Sequence, residues 1–254
     1  MVKFIRDLPP DIPQVLCHYT KAGNLESMLK GDTKSVCFWL KNNCDKNDEA
    51  ELKMGINLMQ KFRKYLQSNN CHSVLDQVKY FKNSYSLSFT EGETSQHMLS
   101  EYGKARLEFD FRKYRTPKPI KCEYYTDDDI NDLIDQFISD LNQTHNLLTL
   151  YEIETDIIEK ISTIKWQKKW EAEKEWRMVL HKQAEDLRYF VDSEGRPRLI
   201  LNIPISFLKG ITLFYDNEDK TEMNKMCDCL KDWKEKNDVR TFDVVMQDAT
   251  GIAN

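Results

Sequence analysis

Residues 173–180 read Glu173-Lys174-Glu175-Trp176-Arg177-Met178-Val179-Leu180, and the reading of the fold turns on how this stretch is placed. In a β-strand successive side chains project to opposite faces, so Glu173, Glu175 and Arg177 share one face while Trp176, Met178 and Leu180 share the other. A strand with one apolar face seats on a core, and two carboxylates then line one edge of a cleft. A solvated strand face on which Arg177 simply pairs with a carboxylate has the same pattern.

On the C-terminal side of this stretch the pattern predicts strands at Leu187 to Val191 and Arg198 to Ile203 around a turn at Asp192 to Pro197. A strand at Ile211 to Tyr215, a helix at Glu218 to Lys236 and a strand at Thr241 to Val245 follow. On the N-terminal side, Val15 to Thr20 reads as a buried strand after the breaks at Pro9-Pro10 and Pro13, and Asn24 to Lys30 as a helix stopped by Gly31. A strand at Ser35 to Leu40 leads to a helix from Asn47, whose apolar face is Leu52, Ile56, Met59 and Phe62. Ser84 to Thr90 alternates as a strand, Ser95 to Tyr102 is a short helix, Gly103 makes a turn and Ala105 to Phe111 is a strand. Between these parts, Asp127-Asp128-Asp129 opens a helix carrying Ile130, Leu133, Ile134, Phe137, Ile138 and Leu141, and a second helical stretch runs from about Leu148 to Lys165. The 254 residues therefore suggest a single α+β domain with a helical insertion at about 127–169.

Composition narrows the function. The net charge of −5 argues against a generally basic nucleic-acid coat, although it leaves room for a local patch. The odd set of seven cysteines has no repeated spacing and reads as free thiols in a reducing cytoplasm. No apolar run approaches the roughly 20 residues that span a bilayer, so no membrane role is expected. Cys227 and Cys229 fall in a predicted helix, where positions two apart do not face each other, so no metal is expected. A phosphate-cradling glycine loop and a Gly-x-Ser-x-Gly nucleophile elbow are both missing, which sets aside the Rossmann, P-loop and α/β-hydrolase classes.

Three further groups could carry chemistry. His18, flanked by Tyr19 and Thr20, stands at the end of a buried strand, though a core histidine with satisfied hydrogen bonds reads the same way. Ser86, Ser88 and Thr90 form a row of hydroxyls on one strand face, able to brace a carboxylate or a ribose. Lys160, Lys165, Lys168, Lys169, Lys174 and Lys182 are interleaved with Trp166, Trp170 and Trp176, a pattern that suits single-stranded nucleic acid or a plain basic helix face beside core tryptophans.

Taken in order, His18-Tyr19-Thr20, Asn47-Asp48 with Glu51, Ser88-Phe89-Thr90-Glu91 followed by Tyr102-Gly103, and Glu173-Lys174-Glu175-Trp176-Arg177 resemble the bacterial family called domain of unknown function 2971, over roughly residues 15 to 215. The tryptophan often seen before the Tyr-Gly pair is replaced here by His97, Met98 and Leu99. That family is similar to ADP-ribosyltransferases of the His-Tyr-Glu type. The resemblance implies an ADP-ribosyltransferase-like split antiparallel β-sheet around an NAD cleft. It implies that His18 hydrogen-bonds the adenosine ribose, that Tyr19 and Thr20 shape the same wall with Ser88 and Thr90, and that Tyr102 stacks on nicotinamide. Glu175 would stabilise the oxocarbenium-like carbon formed as nicotinamide leaves, and Glu173 would position the acceptor.

The expectation is thus a cytoplasmic bacterial toxin or defence effector that transfers ADP-ribose from NAD to a macromolecule. The acceptor leans to RNA or DNA through Lys168, Lys169, Trp170 and Arg177, and an antitoxin is a plausible partner. NAD hydrolysis and a non-catalytic binding module on the same fold are the alternatives.

Overall fold

The computed structural model describes residues 12–30, 33–43, 49–68, 83–115, 117–126, 161–166, 168–182 and 187–252, with single positions at 129, 132, 135, 136 and 139. In chain order the elements are β1 (Leu16–Thr20), α1 (Leu25–Lys30), β2 (Ser35–Asn42), α2 (Glu49–Ser68), β3 (Ser84–Thr90), α3 (Gln96–Tyr102), β4 (Ala105–Phe109), β5 (Ile120–Lys121) and β6 (Glu123–Tyr125). After them come β7 (Ile164–Trp166), β8 (Glu175–His181), β9 (Tyr189–Val191), β10 (Pro197–Pro204), β11 (Leu208–Tyr215), α4 (Lys220–Lys236) and β12 (Asp243–Asp248). The architecture is mixed α+β with a large, mostly antiparallel sheet. The chain falls into two compact units, each assembled from separate stretches.

The unit that holds His18 comprises Ile12–Trp39, Ser88–Lys118 and the chain from Ile200. Its centre is β4, which runs antiparallel to β1 on one side and to β11 on the other. The alternation Ala105, Leu107, Phe109 puts three side chains with no solvent exposure on one face, as period-two patterning requires. Beyond β11, β12 runs parallel, and α4 provides the crossover that a parallel pair needs. Met223, Cys227 and Leu230 form the buried stripe of α4, while Lys234 and Lys236 in its last turn complement the negative end of the helix dipole. Around Phe109 the rings of Phe38, Phe89 and Phe111 close the core, with Phe109 and Phe111 stacked 5.3 Å apart.

The unit that holds Glu175 comprises Leu40–Leu87 and Pro119–Leu199. In it β8 pairs antiparallel with β5 and also flanks β3. β6 and β7 form a separate two-stranded parallel sheet. Met59, Phe62 and Leu66 supply the buried face of α2. The β9–β10 hairpin turns at Gly195, whose φ of 76° favours glycine, and Asp192 inside that turn pairs with the buried Arg198 at 3.1 Å.

Two sequence expectations are corrected. The strand expected from Glu173 starts at Glu175, because Lys168–Glu173 is a 3-10 helix and Lys174 adopts a left-handed φ of 43° that breaks the alternation. The helix expected to reach Lys165 gives way to strand at Ile164, where β-branched and aromatic residues pair with β6. Most of the expected insertion helices at 127–160 lies outside the described residues.

Gly103 ends α3 by donating its N–H to Leu99 O at 3.2 Å, with a φ of 115°. A Cβ there would stand 2.5 Å from the Thr20 main-chain oxygen and 2.6 Å from Lys21 N. Gly103→Ala therefore costs about 2 kcal/mol or more. Urea unfolding at neutral pH checks this, and an unchanged midpoint would show that the turn yields without cost.

Candidate functional site

The β8 strand carries Glu175 and Arg177 on one face, as alternation predicts, but the face is not solvated. Glu175 is 5% exposed, Arg177 4%, Glu173 7% and Lys165 8%. Arg177 forks onto the carboxylate, with Nε donating to Oε1 at 2.7 Å and Nη2 to Oε2 at 3.1 Å. From β7, Lys165 Nζ lies 2.8 Å from the same Glu175 Oε2 and 2.7 Å from Glu173 Oε2. Glu173 therefore joins the cluster, and it does so through Lys165 rather than by sharing the strand. The main chain of Glu175 is also fixed: its N–H donates to the Tyr124 hydroxyl at 2.9 Å and its carbonyl accepts from Cys122 N at 2.8 Å.

Among the described residues two cations and two carboxylates meet in this cluster. Burial by itself would push the Glu175 carboxyl up, but Arg177 and then Lys165 outweigh it and hold the group well below the usual carboxylate range. Lys165 is held above its ordinary value: burial opposes its charge, and Glu175 leads the groups that restore it. Behind the fork, Arg177 Nη1 donates to the Ser162 carbonyl at 2.9 Å, and Asn43 Nδ2 donates to Ser162 Oγ at 3.0 Å. Asn43 Oδ1 is buried with no hydrogen-bond partner among the described residues, a placement that costs about 1–3 kcal/mol.

In the other unit, His18 donates from Nδ1 to the Ser88 carbonyl at 2.9 Å, a bond that makes Nε2 the acceptor of the neutral ring. Its ring stands edge-on to Phe38 at 5.1 Å and Phe89 at 5.9 Å. Tyr19 does not share this wall, because alternation along β1 turns it to the opposite face. There its hydroxyl meets Thr94 Oγ1 at 2.8 Å and its ring packs with Cys17, Met98, Leu99 and Phe214. Thr20 shares the side of His18, but it is buried and accepts from Asn24 Nδ2 at 2.9 Å, fastening the start of α1. Thr90 pairs with Cys17 and so belongs to the face of Tyr19, and Ser88 alternates onto the same side, so that only the Ser88 carbonyl reaches His18. Tyr102 closes α3 and is 42% exposed.

Several residues escaped the sequence reading. Arg106 in β4 donates to Thr94 Oγ1 and to Glu108 Oε1, both at 2.5 Å, on the face of Tyr19. The alternation Arg106-Leu107-Glu108 is its signal in the sequence. Asn43, Tyr124 and Ser162 have none, because only tertiary structure brings them to Glu175. Lys168 and Lys169 lie in the 3-10 helix with Trp170, and their side chains fall outside the described residues. Among the described residues no group of three His, Cys, Asp or Glu side chains is placed to hold a metal ion, and no helix is long and apolar enough to cross a membrane.

Compared with protein-family models, curated proteins and solved structures, the chain matches none of them.

Arg177→Met leaves Glu175 without its fork and removes about 3–5 kcal/mol of stability, measurable by urea unfolding at pH 7; a loss below 1 kcal/mol would mean that Lys165 alone compensates the carboxylate. The acid limb of stability has two stages. Burial lowers His181 from 6.5 to about 4, so the unfolded chain takes up that proton first and stability falls as pH drops through this window. Glu175 is depressed below its ordinary 4.5, so its contribution is complete above that pH and is lost as pH falls further. His181→Gln flattens the upper stage and Glu175→Gln the lower, as read from unfolding free energy between pH 7 and 3.

Proposed function

We propose that the chain transfers ADP-ribose from NAD, with Glu175 as the carboxylate that stabilises the reacting ribose carbon. The observation that carries this reading is that Glu175 is kept ionised and aimed by a bidentate arginine inside a largely water-excluded cluster. A fixed negative charge in such surroundings acts on developing positive charge more strongly than it would in water. In the reaction the bond from ribose C1 to the nicotinamide nitrogen breaks and its electron pair leaves with nicotinamide. The acceptor then bonds to C1 and gives up a proton. Glu173, beside Glu175 through Lys165, is the proposed group that orients the acceptor.

The remaining assignments rest on the resemblance of the His18-Tyr19-Thr20 and Glu173-to-Arg177 motifs to the His-Tyr-Glu pattern. They comprise a ribose contact for His18 and nicotinamide stacking for Tyr102. The nucleic-acid acceptor rests instead on the lysine and tryptophan stretch with Lys168, Lys169 and Trp170, without the Arg177 expected beside them, which is buried on Glu175. The antitoxin partner follows from the toxin reading. With water as acceptor the same centre hydrolyses NAD. The non-catalytic reading also has an observation in its favour: both Glu175 oxygens already sit in ion pairs, as a purely structural cluster would have them.

Radiolabelled NAD, with protein, RNA and DNA fractions separated afterwards, tests the proposal. Wild type should release nicotinamide and label one fraction, and Glu175→Gln should reduce release by about 100-fold or more while remaining folded by circular dichroism. Free ADP-ribose without labelled acceptor would select hydrolysis, and NAD left intact under every condition would select the binding module.

A further inference from the structure

Asn43 directly follows β2, and Ser162 lies 119 positions later, just before β7. Both have no solvent exposure. Asn43 Nδ2 holds Ser162 Oγ at 3.0 Å, Ser162 O holds Arg177 Nη1 at 2.9 Å, and the remaining two guanidinium nitrogens hold the two oxygens of Glu175. A fork alone leaves a guanidinium free to pivot about the carboxylate. A third acceptor on the main chain fixes its plane, and with it the direction in which the carboxylate faces.

We propose that Asn43 and Ser162 are positioning residues, a relay that locks the Arg177 guanidinium and so sets the orientation of Glu175. Packing does not account for the amide of Asn43, since an apolar side chain of similar volume would fill the space without burying the unpartnered Oδ1. What the amide contributes is its N–H to Ser162. The consequence for chemistry rests on the reading of Glu175 as the reaction centre, where a displacement of about 1 Å costs roughly 100-fold in rate. Among the described residues the charged and titratable groups facing Glu175 are Arg177 on its own strand, Lys165 on β7, Glu173 through Lys165 and Tyr124 on β6, none of which is altered by a substitution in the relay.

Asn43→Leu and Ser162→Ala test the relay, the second removing only a hydroxyl. The first readout is exchange of the Arg177 Nε–H with water by nitrogen-15 NMR, the signal being identified by its loss in Arg177→Lys. Exchange should quicken by about tenfold in each variant, and no further in the double variant, while the backbone amides of β8 keep their protection. Where wild type releases nicotinamide from NAD, kcat should fall by about 10- to 100-fold with KM within about twofold. Unchanged Nε–H exchange in both variants overturns the proposal, as does a lowered unfolding midpoint with kcat intact. Quickened exchange in a protein that never turns over NAD upholds the relay and removes the ADP-ribosyltransfer reading instead.

Discussion

The Arg177 guanidinium is the contact on which the Glu175 unit depends. A buried carboxylate survives only if its charge is met, and the protein meets it with a planar cation whose two parallel hydrogen bonds match the carboxylate fork. Lys165 then spans Glu175 and Glu173, so the second carboxylate is compensated by the same ammonium group. Removing any one member strands a charge of the opposite sign. This is why β8, β7 and the 3-10 helix at Lys168–Glu173 have to arrive together: each supplies a charge that the others cannot bury alone.

The strand pattern of the sequence was highly legible because period-two burial is local. Ser84 to Thr90 matches β3 in full, and Leu16–Thr20 lies within the strand expected from Val15 to Thr20. The pairing of Glu175 with Arg177 was legible for the same reason, since alternation along one strand places them together. Glu173 shows where local reasoning fails. The positive φ of Lys174 removes it from the strand, and a lysine eight positions earlier brings it back to the same cluster. β5 and β6 were missed because strands of two and three residues carry too little pattern, and their existence depends on the strands beside them.

The His18 segment divides in the same way. Residues adjacent in sequence were expected to line one wall, yet alternation along β1 sends His18 and Tyr19 to opposite faces. His18 meets the aromatic cluster of Phe38 and Phe89, and Tyr19 meets Thr94 and the core beneath α3. A three-residue motif in a strand therefore describes two surfaces, and only its first and third residues can act on one ligand from the same side. The Ser88 carbonyl, which no side-chain motif records, fixes the His18 tautomer.

Burial and chemistry pull against each other at Glu175. Low solvent exposure strengthens the field of the carboxylate, but the ion pairs that make burial tolerable also occupy its oxygens. For Glu175 to act on a ribose, one of its cations has to release an oxygen, and the two differ in what that would cost. Lys165 offers a rotatable ammonium already shared with Glu173, so it can lean wholly onto Glu173 without losing all compensation. Arg177 is tied to the Ser162 carbonyl as well as to both oxygens, so its release breaks more contacts at once. In the proposed reaction Lys165 is therefore the cation that gives way, opening one side of Oε2 to the ribose while Arg177, still donating to both oxygens, keeps the carboxylate ionised and aimed.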